Sequence, residues 1–304
     1  MKQFISLLFI AVFGHIIAQQ ELTLDDAVMQ QYRKFYPERI TGFSWLPNTT
    51  KYVYLSTDRG NLYKSSHATK KEEVLLNIKE LNELLGTNLW GFYPLEFTDE
   101  HGFFMNDGTS FYEVNLKEMT GKTLHTLEEN ARSPLFEPVT KKLAYLINNN
   151  VMMRDATSKI LPVTQNNDPN IVSGQAIARS EFGITGGLFW SPKGNYLAFY
   201  QKDESKVHDY PLLDINDTPG SLNLTKYPMA GQTSEKARVG IYNTNSLKTV
   251  YIETQNDDDG YLTNVSFTPD EKYLFVAEVN RAQNHMWLNV YNTKTGAYIK
   301  TVLE

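Results

Sequence analysis

Residues 178–200, Ala178-Arg-Ser-Glu-Phe-Gly-Ile-Thr-Gly-Gly-Leu-Phe-Trp-Ser-Pro-Lys-Gly-Asn-Tyr-Leu-Ala-Phe-Tyr200, decide how this chain folds. The second half, Phe189 to Tyr200, reads as a strand, a turn and a second strand. Trp190 ends the first strand on its buried face. Pro192 has no N–H to give to a ladder and presets a turn, which Lys193-Gly194-Asn195 completes. Tyr196-Leu-Ala-Phe-Tyr200 then resumes with residues that suit a pleated surface. The first half reads as a short polar element that holds one carboxylate, Glu181, against Arg179.

The same unit recurs along the chain. Gly42-Phe-Ser-Trp-Leu-Pro-Asn48 leads into Tyr52-Val-Tyr-Leu55, and Ser133-Pro-Leu-Phe-Glu-Pro-Val139 into Leu143-Ala-Tyr-Leu146. Asn264-Val-Ser-Phe-Thr-Pro-Asp270 leads into Tyr273-Leu-Phe-Val276. A degenerate copy, Leu95-Glu-Phe-Thr-Asp-Glu-His-Gly102, precedes Phe103-Phe-Met105. In each an aromatic residue closes one strand on the buried side, a polar turn follows, and the next strand alternates. A unit of roughly 40 to 55 residues, built from short strands, is the mark of β-propeller blades. The expected fold is therefore all-β, a β-propeller of which about five blades are recognisable. A β-sandwich is the alternative, but it has no reason to repeat this turn. Asn148-Asn-Asn150, Gly108-Thr109 and Asn292-Thr-Lys-Thr-Gly296 read as hairpin turns between outer strands.

Helix is expected in two places. Glu21 to Tyr36 has a start signal at Thr23 with Asp26 three residues on, and Leu24, Ala27, Val28 and Tyr32 near helical spacing. Lys71 to Leu85 places Val74, Leu75, Ile78, Leu81 and Leu85 along one side. Both read as packing or connecting helices.

Residues 1–18 read as a signal peptide: Lys2 gives a positive start, Phe4 to Ile17 is almost wholly apolar, and Ala18 offers a small residue for cleavage before Gln19. The expected product is exported, periplasmic or secreted, and residues 19–304 form the propeller domain. The chain has no cysteine, which excludes a lipid-anchored lipoprotein, disulfides, thiolate metal sites and a cysteine nucleophile. A net charge of −6 without a basic run argues against nucleic acid as a partner. The six histidines lack metal-ligand spacing, and the acidic run Gln255-Asn-Asp-Asp-Asp-Gly260 lacks the alternating ligands of a calcium loop and reads as a turn. No cofactor and no metal are expected. Gly42-Phe-Ser44-Trp-Leu46 lacks the last glycine of a nucleophile elbow and sits in a blade strand. The residues alone give no sign of covalent catalysis.

Four passages carry a specific resemblance: Glu137 to Asn150; Ser180-Glu-Phe-Gly183 followed by Phe189 to Tyr200; Lys226-Tyr-Pro-Met-Ala-Gly231 with Val239-Gly-Ile-Tyr-Asn243; and Val279-Asn-Arg-Ala-Gln-Asn-His285. In this order and spacing, over most of residues 130–304, the chain resembles the N-terminal propeller domain of the dipeptidyl peptidase IV family, in the prolyl oligopeptidase clan of serine peptidases. The resemblance implies an eight-bladed propeller stacked on a downstream α/β-hydrolase domain with a Ser-Asp-His triad. That catalytic domain is absent from this chain, so no catalytic residue is expected in it and the chain reads as part of a longer open reading frame. The resemblance further implies peptide substrates with free N-termini, cleavage preferentially after proline, and a possible homodimer.

In that family acidic side chains on a short helical insertion of the propeller grip the substrate ammonium. Glu181 lies at the distance before Phe189-Trp190 that matches this position, and Arg179 is either the neighbour that orients it or merely a surface charge. Dipeptidyl peptidases show two adjacent glutamates here, whereas Ser180 and Phe182 flank Glu181. A single glutamate is closer to prolyl tripeptidyl relatives, so release of a dipeptide or a tripeptide stays open. The family arginine that contacts substrate carbonyls has no counterpart in Gly102 to Gly108. The rival from another class is a non-catalytic exported propeller serving as a protein- or peptide-binding platform.

Overall fold

A computed structural model of the chain describes residues 21–37, 39–69, 71–255 and 259–304. The expected signal peptide and the central residues of the acidic turn, 256–258, lie outside them. Helix α1 (Leu24–Val28) starts where the sequence places it, at a capping box in which Thr23 and Asp26 satisfy each other's backbone N–H groups. It ends after five residues instead of continuing to Tyr36, because Leu24, Val28 and Tyr32 find nothing to pack on and stay exposed.

The rest is a series of antiparallel sheets in chain order. The first blade is β1 (Thr41–Trp45), β2 (Lys51–Leu55), β3 (Asn61–Ser66) and β4 (Glu73–Asn77), followed by helix α2 (Ile78–Leu85). Residues 73–77 were expected in the helix and are strand: Val74 and Leu76 pair with Tyr63 and Leu62 of β3. Asn77 then caps α2 by accepting the backbone N–H of Glu80, which fixes the helix start at Ile78. The second blade is β5 (Leu95–Phe97), β6 (Gly102–Asn106), β7 (Ser110–Asn115) and β8 (Thr120–Thr126). The third is β9 (Arg132–Glu137), β10 (Lys142–Ile147), β11 (Asn150–Arg154) and β12 (Ile160–Pro162).

In the fourth blade β13 (Ile171–Ser173) and β14 (Leu188–Trp190) both pair with β15 (Tyr196–Asp203). A separate hairpin, β16 (Asp209–Asp214) and β17 (Ser221–Lys226), follows before β18 (Lys236–Asn243) and β19 (Lys248–Tyr251) complete the sheet. The fifth blade is β20 (Tyr261–Phe267), β21 (Tyr273–Val279), β22 (Met286–Asn292) and β23 (Tyr298–Leu303). Four of the five repeats legible in the sequence are thus the first two strands of a blade, and the one at Phe189–Tyr200 is β14 and β15.

Burial explains why the second strands read as continuous apolar runs. In β10, Leu143 and Tyr145 pack with Phe111 of the second blade, while Ala144 and Leu146 pack with Leu197 and Phe199 of the fourth. In β15, Leu197 and Phe199 face the third blade, while Tyr196, Ala198 and Tyr200 join Leu262, Leu274 and Val276 of the fifth. Each interior sheet is covered on both faces, and alternation sends neighbours to opposite interfaces. Blade-on-blade stacking of this kind is the propeller arrangement. Gly240 in β18 is set by it: a Cβ there would meet the Phe199 ring at 2.4 Å.

The first blade departs from the expectation in one respect. Trp45 is 55% exposed, because β1 and Tyr52 turn their aromatic rings to the face away from the second blade. There Trp45 packs on Phe43 and Tyr52 at 5.7 and 5.5 Å between ring centroids.

Polar side chains latch successive blades. Lys51 Nζ meets Glu100 at 2.5 Å, and Lys141 Nζ meets Glu113 at 2.6 Å. Lys142 Nζ donates to the Gly194 carbonyl at 3.0 Å and to Thr244 Oγ1 at 2.8 Å. Glu271 accepts from Ser191 Oγ at 2.5 Å, Lys193 N at 2.7 Å and Asn195 Nδ2 at 2.7 Å. The Trp-Ser-Pro-Lys-Gly-Asn turn therefore supplies donors and acceptors to both neighbouring blades.

Candidate functional site

The segment that carries Glu181 is an excursion from the fourth blade. β13 pairs with residues 201–203 and β14 with residues 197–199, so the chain leaves the sheet after Ser173 and returns at Leu188. Tyr200 closes the gap: its carbonyl accepts from Gly174 N at 2.7 Å and its N–H donates to the Gly187 carbonyl at 3.0 Å. The neck needs glycine at both ends. Gly174 has φ +79°, and a Cβ on Gly187 would stand 2.3 Å from the Gln175 carbonyl oxygen. Ile177 and Ile184 are buried on either side and pin the excursion to the core between the fourth and fifth blades.

Between those anchors, Ala178–Gly183 forms a 3-10 turn with unusual backbone. Ala178, Arg179, Ser180 and Phe182 have φ of +53°, +50°, +66° and +53°. Left-handed conformations cost a non-glycine residue about 1 kcal/mol each. Glu181 is extended among them, with φ −63° and ψ 161°. Contacts from both sides hold the turn. Glu235 Oε1 accepts from Ala178 N at 2.9 Å. The Phe182 ring packs on Tyr261 at 4.9 Å, and its carbonyl accepts from Thr263 Oγ1 at 3.3 Å.

The two residues singled out in the sequence line one recess but do not pair. This corrects the expectation that Arg179 orients Glu181. The left-handed residues Arg179 and Ser180 separate the two side chains. The Arg179 guanidinium donates to the Lys226 carbonyl and lies 5.1 Å from the Tyr227 ring. Glu181 Oε2 accepts instead from Gln283 Nε2 at 2.9 Å, and among the described residues it has no ion-pair partner. Gln283 Nε2 also donates to Tyr261 Oη at 3.0 Å, which accepts in addition from Arg281 at 2.9 Å.

The recess has a volume of about 150 Å³ and is lined by Glu181, Arg179, Glu235, Asp259, Tyr261 and Arg281 among others. Three carboxylates face it against two arginines, and both arginines are engaged elsewhere. Carboxylates thus outnumber arginines by one, a lining that suits a small cation. Sequence reasoning missed Glu235, Tyr261, Arg281 and Gln283 as site residues. Arg281 and Gln283 fall inside the passage Val279 to His285 that carried the resemblance. The passage gave no hint that its turn reaches a residue 102 positions earlier.

Residues 105–303 match the model of the dipeptidyl peptidase IV (DPP IV) N-terminal region. A "Probable dipeptidyl-aminopeptidase B" of Tuber melanosporum is 26% identical over 221 residues, covering 63% of this chain and 24% of that protein. Dipeptidyl peptidase 4 of Sus scrofa is 24% identical over 213 residues, covering 63% of this chain and 27% of its own length. The chain therefore spans about a quarter of these relatives. Among solved structures, that of a "putative dipeptidyl aminopeptidase IV" from Bacteroides ovatus superposes with a TM-score of 0.77 at 35% identity, over 87% of this chain and 37% of the other. Porphyromonas gingivalis dipeptidyl peptidase 4 shares the fold, with a TM-score of 0.70 at 20% identity over 93% of this chain and 42% of its own. The chain belongs to the dipeptidyl peptidase IV family and carries that family's N-terminal region.

Proposed function

We propose that this chain is the substrate-selecting propeller portion of an exported serine exopeptidase that releases di- or tripeptides from free N-termini, preferentially after proline. Glu181 binds the substrate ammonium. The observation that carries this reading is the Glu181 carboxylate itself: unpaired with any described cation, facing a recess, on a turn held in strained geometry from two sides. Strain of this kind persists only where surrounding contacts fix it, and it clusters at ligand sites. An ammonium–carboxylate contact in a partly desolvated recess is worth enough to select free N-termini over blocked ones.

The acyl transfer belongs to a downstream α/β-hydrolase domain, and the propeller limits which chain ends reach it. Counting from Glu181 to the scissile bond then sets the length of peptide released. A homodimer fits the same reading. The hairpin β16–β17 presents one apolar face, with Leu213 opposite Leu222 and Leu224 opposite Pro211, and its three leucines are each more than 60% exposed.

The test is a peptidase assay of the protein that carries both domains. Xaa-Pro and Xaa-Xaa-Pro reporters are compared with free and N-acetylated termini, and the products are sized by mass spectrometry. The reading expects cleavage of free-amine substrates only. Equal turnover of the acetylated forms refutes it.

A further inference from the structure

We infer that Gln283 is a positioning residue for Glu181: it holds one carboxylate oxygen so that the other meets the ammonium of a peptide N-terminus. The inference rests on the ammonium reading proposed above and names the residue that makes its geometry reproducible.

A glutamate on an exposed turn has several rotatable bonds, and fixing them on binding costs conformational entropy. Gln283 meets that cost before the peptide arrives. Its Nε2 carries two N–H groups, and two acceptors stand within reach, Glu181 Oε2 at 2.9 Å and Tyr261 Oη at 3.0 Å. Tyr261 is fixed in turn. Its hydroxyl accepts from Arg281, and its ring packs on Phe182, the residue after Glu181. The contacts close a ring that runs Glu181, Gln283, Tyr261, Phe182 and back through the chain to Glu181.

The turn that presents Gln283 is itself ordered. Asn280 Oδ1 accepts from Asn284 N and His285 N, both at 3.1 Å, and the Asn280 carbonyl accepts from Gln283 N at 2.9 Å. Gln283 sits at φ +59°, a left-handed position that the flanking hydrogen bonds impose.

The chemistry of the donor matters as much as its place. A lysine or arginine at 283 would neutralise Glu181 and compete with the substrate. A primary amide donates a hydrogen bond and leaves the full negative charge for the incoming cation. Neither nearby arginine pairs with Glu181: Arg179 donates to the Lys226 carbonyl and Arg281 to Tyr261 Oη. Charge is thereby kept and orientation fixed, which is the combination an ammonium anchor requires.

The experiment is an NMR titration of the 304-residue chain with the tetrapeptide Ala-Pro-Ala-Ala, free and N-acetylated, for the wild type, Gln283→Ala, Gln283→Lys and Glu181→Gln. The wild type is expected to prefer the free amine. Gln283→Ala should cut that preference by about tenfold, the loss of one hydrogen bond to a charged group. Gln283→Lys should cut it as far as Glu181→Gln does, because the lysine occupies the carboxylate from within. Melting temperatures read alongside separate these effects from unfolding. If Gln283→Ala does not fold, the side-chain amide resonances of Gln283 in the wild type decide. They must move with the free peptide and stay with the acetylated one, and unmoved resonances overturn the inference. Loss of preference in Glu181→Gln alone, with both Gln283 variants behaving as wild type, overturns the positioning role and leaves the Glu181 reading standing. A wild type that does not distinguish the peptides overturns both.

Discussion

Glu271, in the turn after β20, accepts a 2.5 Å hydrogen bond from Ser191, in the turn after β14, and so ties the fifth blade to the fourth. Its carboxylate is buried and also takes the Lys193 N–H and the Asn195 amide. Replacing Glu271 with alanine leaves the buried Ser191 hydroxyl and the half-buried Asn195 amide without this partner, which costs about 2 to 4 kcal/mol. Urea unfolding should show a loss of this size for Glu271→Ala.

The acid limb of stability follows from two buried groups. Burial opposes ionisation of Glu271, but the hydrogen bonds from Ser191, Asn195 and Lys193 outweigh it and hold its pKa below the ordinary 4.5. A depressed carboxylate contributes fully above that ordinary value and loses its contribution as pH falls through the depressed one. His125 is buried, with Nε2 2.9 Å from the Lys141 carbonyl. Burial lowers its pKa below 6.5, partly offset by that carbonyl. Its contribution is complete above pH 6.5 and declines as pH falls toward the lowered value. Calorimetry from pH 8 to pH 3 should find the melting temperature falling first below pH 6.5 and again below pH 4.5. His125→Gln should flatten the first decline only.

Gly240 tests the packing between the third and fourth blades. A methyl group there enters the Phe199 ring, whose strand neighbours are buried on both sides. Gly240→Ala should destabilise the chain by about 1 to 3 kcal/mol in chemical denaturation.

The hairpin β16–β17 should behave in the opposite way. Leu213 and Leu224 are 66% and 65% exposed, so a Leu213→Lys, Leu224→Lys pair should leave stability within about 0.5 kcal/mol of wild type. If the hairpin face carries a homodimer, sedimentation velocity of the same variant should show monomer where the wild type shows dimer.

The blades were legible because their signal is local. Pro192 and Gly194 mark a turn, and the apolar run Tyr196 to Tyr200 marks a strand covered on both faces. The helix at 71–85 misled because Val74 and Leu75 fit helical and strand periods equally, and pairing with β3 decided between them. Exposure of Trp45 could not be read, since the face of a strand is set by its neighbours and not by its residues. The site was half legible. Glu181 stood out as a lone carboxylate, and its neighbour Arg179 was the natural partner to expect. Left-handed backbone at Arg179 and Ser180 sends the guanidinium away, and the actual partner, Gln283, arrives from another blade. Contacts across a hundred residues leave no mark in a single sequence.

The most direct test of the account is kcat/KM of a protein carrying the proposed downstream domain on a free-amine Xaa-Pro reporter, for wild type against Glu181→Gln. The variant keeps the shape of the side chain and the reach to Gln283 but removes the charge. The account predicts a fall of at least about tenfold, the loss of one hydrogen bond to a charged group, with no change in melting temperature. Unchanged kcat/KM contradicts it.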